Sequence, residues 1–143
     1  MRKVITSIIL CIFTTYSIAK DSQLVDTMKI KLTINNQTIT ATLIDSETTR
    51  DFISLLPLNL TLTDYANTEK VADLPRKLST NGIPSGYTPV KGDITYYSPW
   101  GNLAIFHKDF SYSNGLVILA KLDSDIEVFN VPQPIQALIE LMP

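Results

Sequence analysis

The chain has little of the residue chemistry on which many enzyme classes depend. Its 143 residues include one cysteine, one histidine and one tryptophan. Cys11 lies in an N-terminal apolar stretch, so the rest of the chain has no thiol for a disulfide, a nucleophile or a metal ligand. His107, between Phe106 and Lys108, is predicted to occupy a solvated turn. No nucleophile elbow, phosphate loop or metal-ligand spacing is present, so the sequence assigns no catalytic residue, metal or cofactor.

Positive charge is also sparse. The twelve basic residues are outnumbered by fourteen acidic ones and nowhere form a run. A protein that binds nucleic acid or an anionic membrane surface needs a concentrated basic patch. We therefore expect neither of these partners, and the oligomeric state stays open.

No apolar stretch reaches the roughly 20 residues that a membrane-spanning helix requires. The longest, residues 4–18, follows Arg2 and Lys3 and ends in small residues up to Ala19, which is the pattern of a cleaved secretory signal peptide. Leu10, directly before Cys11, disfavours lipidation. We predict a signal peptide over residues 1–19, a linker over 20–27, and export to a periplasm or to the outside. Cleavage would leave ten basic against fourteen acidic residues, a net charge of about −4, and no stable membrane association.

Alternating apolar and polar residues predict a mainly β domain over residues 28–129. The alternation of residues 28–34 resumes at 38–43 after Asn35 and Asn36, which predicts a hairpin. Ser46 is a candidate helix N-cap before a one-sided apolar stripe that ends at Pro57. Further strands are predicted at 58–65, 69–74, 92–106 (a hairpin), 116–122 and 126–129. Many short antiparallel strands favour a closed barrel or a sandwich.

Two segments fall outside this strand pattern. Residues 77–89 contain several turn signals and are predicted to form a long loop. In the tail, residues 130–143, the apolar side chains of Ile135, Leu138, Ile139 and Met142 have helical spacing. We predict a short amphipathic helix there, packed on the barrel.

The order of motifs resembles the bacterial cyclophilin-like domain family over residues 28–129. The matching segments are Thr49 to Leu58, Asp64-Tyr65 through Glu69-Lys70, Leu74-Pro75, Gly92-Asp93-Ile94 with Tyr96-Tyr97, Pro99 to Phe106, and Gly115-Leu116-Val117. The resemblance implies a closed antiparallel cyclophilin-like β-barrel with one or two short helices and a groove along its outer face.

Cyclophilins proper catalyse cis/trans isomerisation of the bond before proline, and the resemblance carries only part of their machinery over. Phe106 is the match for the aromatic residue of the groove, although its place at the end of an apolar run favours a core position. The Phe-His-Arg run of cyclophilins falls near residues 65–71, where this chain has Lys70 but no arginine. Their groove tryptophan and histidine fall near Ser111 and Leu116. Prolyl isomerisation would therefore need a different set of catalytic residues, with Lys70 in place of the arginine.

The candidate ligand-binding residues gather around the turn that carries the only tryptophan. Pro99 and Gly101 predict a tight corner with Trp100 at its tip, although aromatic residues in short strands more often pack than bind, which favours Trp100 as the cover of a barrel end. Adjacent Glu69 and Lys70 would point to opposite faces of a strand, and an exposed pair without a role is the simpler interpretation. The candidate groove residues are Tyr65, Lys70, Tyr97, Pro99, Trp100, Asn102 and Phe106.

Three functional hypotheses remain open at this point. The first is an exported, non-enzymatic barrel that binds a small ligand or an extended peptide in the groove, with the loop of residues 77–89 as its lid. The second is a divergent prolyl isomerase. The third is a protein-interaction module that uses a barrel edge or the tail helix, which contiguous apolar surface outside the groove would favour.

Overall fold

Eight antiparallel strands close into a barrel. A computed structural model describes residues 28–124 and 126–143, so the predicted signal peptide and linker lie outside the described residues. The strands, in chain order, are β1 (Lys29–Ile34), β2 (Gln37–Leu43), β3 (Leu58–Tyr65), β4 (Glu69–Asp73), β5 (Gly86–Tyr87), β6 (Asp93–Tyr97), β7 (Asn102–Phe106), β8 (Ser113–Asn114), β9 (Leu116–Leu122) and β10 (Ile135–Leu141). Around the barrel they run β1-β10-β3-β4-β7-β6-β9-β2, while β5 and β8 pair separately. The predicted fold class is confirmed.

The alternation seen in the sequence places one face of each barrel strand in the core. In β3, for example, Leu58, Leu60 and Leu62 are buried, and the polar residues between them are exposed. The β1–β2 hairpin turns at Asn35 and Asn36, which both have positive φ, as the favoured two-residue hairpin turn requires. The interior is a continuous cluster of leucine, isoleucine and aromatic side chains.

The predicted helix is α1 (Glu47–Ile53). Ser46 caps it, since its side chain accepts a hydrogen bond from the Thr49 backbone nitrogen at 3.0 Å. Glu47 lies in the first turn, where the helix dipole favours a negative charge. Phe52 is fully buried and anchors the helix in the barrel core.

The start of the loop of residues 77–89 is hydrogen-bonded to the rest of the domain. The Leu78 backbone nitrogen donates a hydrogen bond to the Tyr96 hydroxyl at 3.1 Å, and that of Ser79 donates to Asp51 at 2.7 Å. Thr48 in turn donates to the Ser79 carbonyl at 2.7 Å. These contacts tie the start of the loop to the helix and to β6, and the later part of the loop forms β5.

Two predictions near the C-terminus are wrong. Ile126–Phe129 is a 3-10 helix rather than a strand. The tail predicted to be a helix is instead β10, which pairs with β1 on one side and β3 on the other. The barrel therefore extends to Leu141, beyond the predicted boundary at residue 129, because β10 supplies the strand that closes it.

Candidate functional site

A cavity of about 390 Å³ opens on the outer face of the barrel. It lies across five consecutive barrel strands, β3, β4, β7, β6 and β9, and is bordered by Phe110, Ser113 and Asn114. Its floor is a second apolar cluster, separate from the core, formed by Ala104, Phe106 and Leu116 with Val71 packed against them. The volume lies at the lower end of the range of small-molecule sites, roughly 300–1,000 Å³.

Strand alternation decides which residues face this cavity. In β7, Asn102, Ala104 and Phe106 line it, while Leu103 and Ile105 between them point into the core. In β4, Glu69 and Val71 face outwards in the same way. Both faces of β7 are buried, one by the core and the other by the outer cluster.

Aromatic rings form one wall of the cavity. Trp100 meets Tyr97 edge-to-face, with ring centroids 5.3 Å apart, and Tyr65 in the same way at 5.6 Å. Trp100 nevertheless keeps 57% of its surface exposed. Phe106 stacks on Phe110 with centroids 6.4 Å apart. Large rings that remain open to solvent beside a cavity are available to a ligand.

The turn that carries Trp100 is stabilised by a backbone hydrogen bond and by close packing against Gly115. The Gly101 backbone nitrogen donates to the Tyr97 carbonyl at 2.9 Å, and Gly101 has a φ of +67°, which suits glycine. Gly115 packs so closely on the turn that an added Cβ would lie 2.8 Å from Pro99 Cδ. Pro99 therefore faces the start of β9 and does not line the cavity.

Among the residues that the structure describes, Glu69 is the one carboxyl group that lines the cavity. Burial against the surrounding side chains, together with the charge of nearby Asp64, raises its pKa from 4.5 to about 7. It makes no side-chain hydrogen bond or ion pair with any described residue. Asn102 is 5% exposed, and its Oδ1 atom is buried without a hydrogen-bond partner. Among the described residues, the cavity thus has an unpaired acid in its lining, and the amide oxygen of Asn102 is buried in the same lining without a partner.

A family comparison matches this architecture. The model of the Cyclophilin-like family covers residues 32–140, which includes the cavity strands and nearly all of β10. The chain belongs to the cyclophilin-like family. No curated protein matches it. Among solved structures it is similar to the solution structure of the hypothetical protein AF2241 from Archaeoglobus fulgidus, with a TM-score of 0.60 and 13% identity over 80% of this chain and 95% of that chain. At that identity the similarity shows the shared fold.

Five of the seven candidate groove residues of this cyclophilin-like protein line one cavity: Tyr65, Tyr97, Trp100, Asn102 and Phe106. Pro99 only supports the turn. The loop of residues 77–89 contributes no residue to the cavity lining, which instead includes Phe110, Ser113 and Asn114. Its role as a lid stays a prediction. Sequence reasoning left out Glu69 and Phe110. The alternation of β4 places Glu69 on the same face as Val71, but it does not decide which of the two faces lines the groove.

Lys70 does not reach the groove of this cyclophilin-like barrel. As predicted, it points away from Glu69, but it is fully buried at one end of the barrel and is not an exposed residue without a role. Its Nζ donates to the backbone carbonyls of Val131 and, at 2.9 Å, Gln133, and lies 3.5 Å from Asp64 Oδ1. Lys70 therefore cannot replace a groove arginine from this position.

His107, predicted to be solvated, is also buried. Its Nε2 lies 3.0 Å from Asp64 Oδ1, so Asp64 joins His107 and Lys70 into one polar cluster. Burial by itself would raise the pKa of Asp64, but the hydrogen bond with His107 and the charge of Lys70 outweigh burial and lower it. The cluster pairs the buried Lys70 and His107 with Asp64 at the barrel end, although His107 Nδ1 is buried without a hydrogen-bond partner among the described residues. Lys70 lies on the opposite side of the wall from the cavity.

Among residues 28–124 and 126–143, no group of three or more histidine, cysteine, aspartate or glutamate side chains could hold a metal ion. Within the same residues, none of the helices has the length and apolar character needed to cross a membrane.

The Glu69→Gln variant is expected to stabilise this cyclophilin-like protein at about pH 8. The pKa of Glu69 is higher in the folded protein than in the unfolded chain, so the unfolded chain loses this proton at a lower pH. The free energy of unfolding therefore falls as the pH rises from 4.5 to about 7. Because solvent screens a half-buried group, we expect a gain of about 1–2 kcal/mol, absent near pH 4.5. Urea unfolding at the two pH values measures it.

Glu140→Gln is the matched control, because Glu140 lies at the surface 3.3 Å from Lys31. It should not gain stability at either pH. Equal unfolding free energies for Glu69→Gln and the parent at about pH 8 would show that Glu69 is not desolvated in the folded state.

Proposed function

We propose that this cyclophilin-like protein binds a small ligand or an extended peptide segment in its outer cavity. The observation that carries the proposal is the aromatic wall of Tyr65, Tyr97 and Trp100 beside an apolar floor, since Tyr65 and Trp100 are exposed and Tyr97 is partly exposed. Rings of this size lose solvent contact when a ligand fills the cavity, which is worth about 1–2 kcal/mol for each well-packed ring. Export, expected from residues 1–19, is part of the same proposal.

The two other hypotheses have less support. The isomerase hypothesis depended on Lys70 at the groove, and Lys70 instead lies inside the barrel wall, bonded to two carbonyls. The interaction-module hypothesis depended on a barrel edge or a tail helix. The eight strands form a closed barrel, and the tail is β10, so neither feature is found in the described part of the chain.

Trp100→Ala tests the proposal with 1-hexanol as a neutral probe. Hexanol binding should weaken by roughly tenfold, the loss of about one ring contact. The melting temperature should change little, because Trp100 is mostly exposed. Amide chemical-shift titration measures the affinity for both proteins, and in the parent the fluorescence of Trp100 provides a second measurement.

Tyr112→Ala is the matched control, since Tyr112 is 56% exposed but does not line the cavity. It should leave hexanol binding unchanged. Shift changes that do not cluster on the cavity strands, or equal affinities for Trp100→Ala and the parent, would contradict binding in the cavity. A large loss of stability without a loss of affinity would make Trp100 a packing residue.

A further inference from the structure

The described lining of the cavity has an acidic side chain but no basic one. Its described lining residues include one carboxyl group, that of Glu69, and no lysine, arginine or histidine. Lys70, adjacent in sequence, points to the other face of the strand and is held by two carbonyls. Asp64, which is near Glu69, is itself paired with Lys70 at 3.5 Å, so Glu69 is the carboxyl group of this region that no described cation compensates. A cation that enters the cavity therefore meets uncompensated negative charge, and an anion meets repulsion.

The surroundings of Glu69 suit an ammonium group on an apolar chain. The neighbouring walls are aromatic rings, whose faces attract cations, and the floor beyond them is aliphatic. Because Glu69 has no partner of its own among the described residues, an ammonium N–H would be its first hydrogen-bond donor. The unpaired Oδ1 of Asn102 is a second acceptor that lacks a donor.

The strand register separates the two acceptors. Glu69 pairs with Phe106 in β7, and Asn102 lies four residues before Phe106 on the same strand. At about 3.3 Å per residue, the two positions are roughly 13 Å apart along β7. Val71 and Ala104 lie between them on the cavity face. Along β4 and β7 the lining therefore runs from the carboxyl group of Glu69, past the apolar side chains of Val71 and Ala104, to the polar side chain of Asn102.

We propose that the cavity binds a primary alkylammonium group, with the ammonium paired to Glu69 and the alkyl chain laid along the floor towards Asn102. This inference rests on the proposed ligand-binding function and names its ligand class. The ammonium can belong to a free linear amine or to a lysine side chain of an extended peptide. The two sources share the same chemistry at Glu69.

The test compares hexylammonium with 1-hexanol, which has the same chain and a neutral head. At about pH 8, hexylammonium should bind at least tenfold more tightly than hexanol. Glu69→Gln should abolish that advantage and leave hexanol binding within about twofold of the parent. Glu140→Gln is the control, because it removes an exposed carboxylate on β10 and should change neither affinity.

Affinity as a function of pH provides a second measurement. Hexylammonium stays charged, so its affinity should rise about tenfold between pH 6 and pH 8 as Glu69 ionises. Hexanol should show the opposite trend or none. The other titratable groups near Glu69 are Asp64 and Tyr65 of β3, Tyr97 of β6, His107 after β7, and Lys70 of its own strand. Any pH dependence that remains in Glu69→Gln belongs to them.

The outcomes separate this inference from the broader proposal. If hexanol binds in the cavity and hexylammonium binds no more tightly, the ammonium inference is overturned and the binding function stands. If neither probe shifts the cavity resonances, both fail. A blocked lysine, Nα-acetyl-lysine N-methylamide, then distinguishes the sources: tighter binding than hexylammonium supports a peptide ligand, and weaker binding supports a free amine.

Discussion

A chain that ends at Pro134 is expected not to fold. The truncation removes β10, which lies between β1 and β3 and pairs with both. It deletes the buried side chains of Ile135, Ala137 and Ile139, and each buried isoleucine contributes about 1.5–3 kcal/mol. It also leaves the facing backbone groups of β1 and β3 without partners. This loss is comparable to the whole stability of a typical domain, about 5–15 kcal/mol.

The measurement is thermal unfolding followed by circular dichroism. The truncated chain should show no cooperative transition, whereas the full chain should show one. A tail helix packed on the outside of a complete barrel would have the opposite consequence, because its removal would lower the melting temperature and leave the transition cooperative. A cooperative transition in the truncated chain would therefore contradict the role of β10 as the closing strand.

Two neighbouring point variants test the same strand without removing it. Ile139 is fully buried and pairs with Leu32 and Leu58, so Ile139→Ala should cost about 3 kcal/mol. Leu138, the adjacent residue, is 36% exposed, and Leu138→Ala should cost less than about 1 kcal/mol. Similar losses for the two variants would contradict the strand alternation.

Lys70→Ala is expected to destabilise the protein by about 3–5 kcal/mol. Lys70 is fully buried and provides the donor for the carbonyls of Val131 and Gln133 as well as the cation beside Asp64. Its removal leaves two carbonyls unsatisfied, the charge of Asp64 less compensated and a void at the barrel end. The two carbonyls precede β10, so the loss should also loosen the segment that leads into the closing strand.

Urea unfolding of three variants separates these contributions. Lys70→Met keeps most of the side-chain volume and should recover part of the loss, because only the donor and the charge are missing. Lys31→Ala is the control: Lys31 forms a surface ion pair with Glu140 at 3.3 Å and should cost at most about 1 kcal/mol. A loss for Lys70→Ala as small as that for Lys31→Ala would indicate that Lys70 is not buried and could reach the groove.

The candidate site shows which parts of a binding site residue patterns can predict. Turn chemistry placed Trp100 at a rigid corner, and the rings on either side of it identified most of the cavity wall. The same reasoning did not find which face of β4 points into the core. Glu69 and Lys70 are adjacent, so they lie on opposite faces of the strand in either case. Burial of Lys70 depends on carbonyls more than sixty residues later in the chain. His107 was misjudged for a related reason, since its partner Asp64 lies on another strand.

The tail shows the same division between local pattern and tertiary context. Ile135, Leu138, Ile139 and Met142 have helical spacing, but Ile135, Ala137 and Ile139 also alternate as in a strand, so the period is ambiguous. The ambiguity was resolved by β1 and β3, whose facing backbone groups need a partner that only a strand can provide. In Ile126–Phe129 the apolar residues resembled a strand, but the segment became a 3-10 helix and pairs with no barrel strand.

The sequence alone therefore determined the features that depend on neighbouring residues: the strands and the hairpin turn at Asn35 and Asn36, the capped helix, and the barrel class that the family confirms. Tertiary structure alone decided the closing strand, the burial of Lys70 and His107, and the position of an unpaired Glu69 in an aromatic cavity. The physical reason is the distance along the chain over which each effect acts. Periodicity and turn preferences act over a few residues, whereas hydrogen-bond satisfaction and desolvation depend on groups that only the closed barrel brings together.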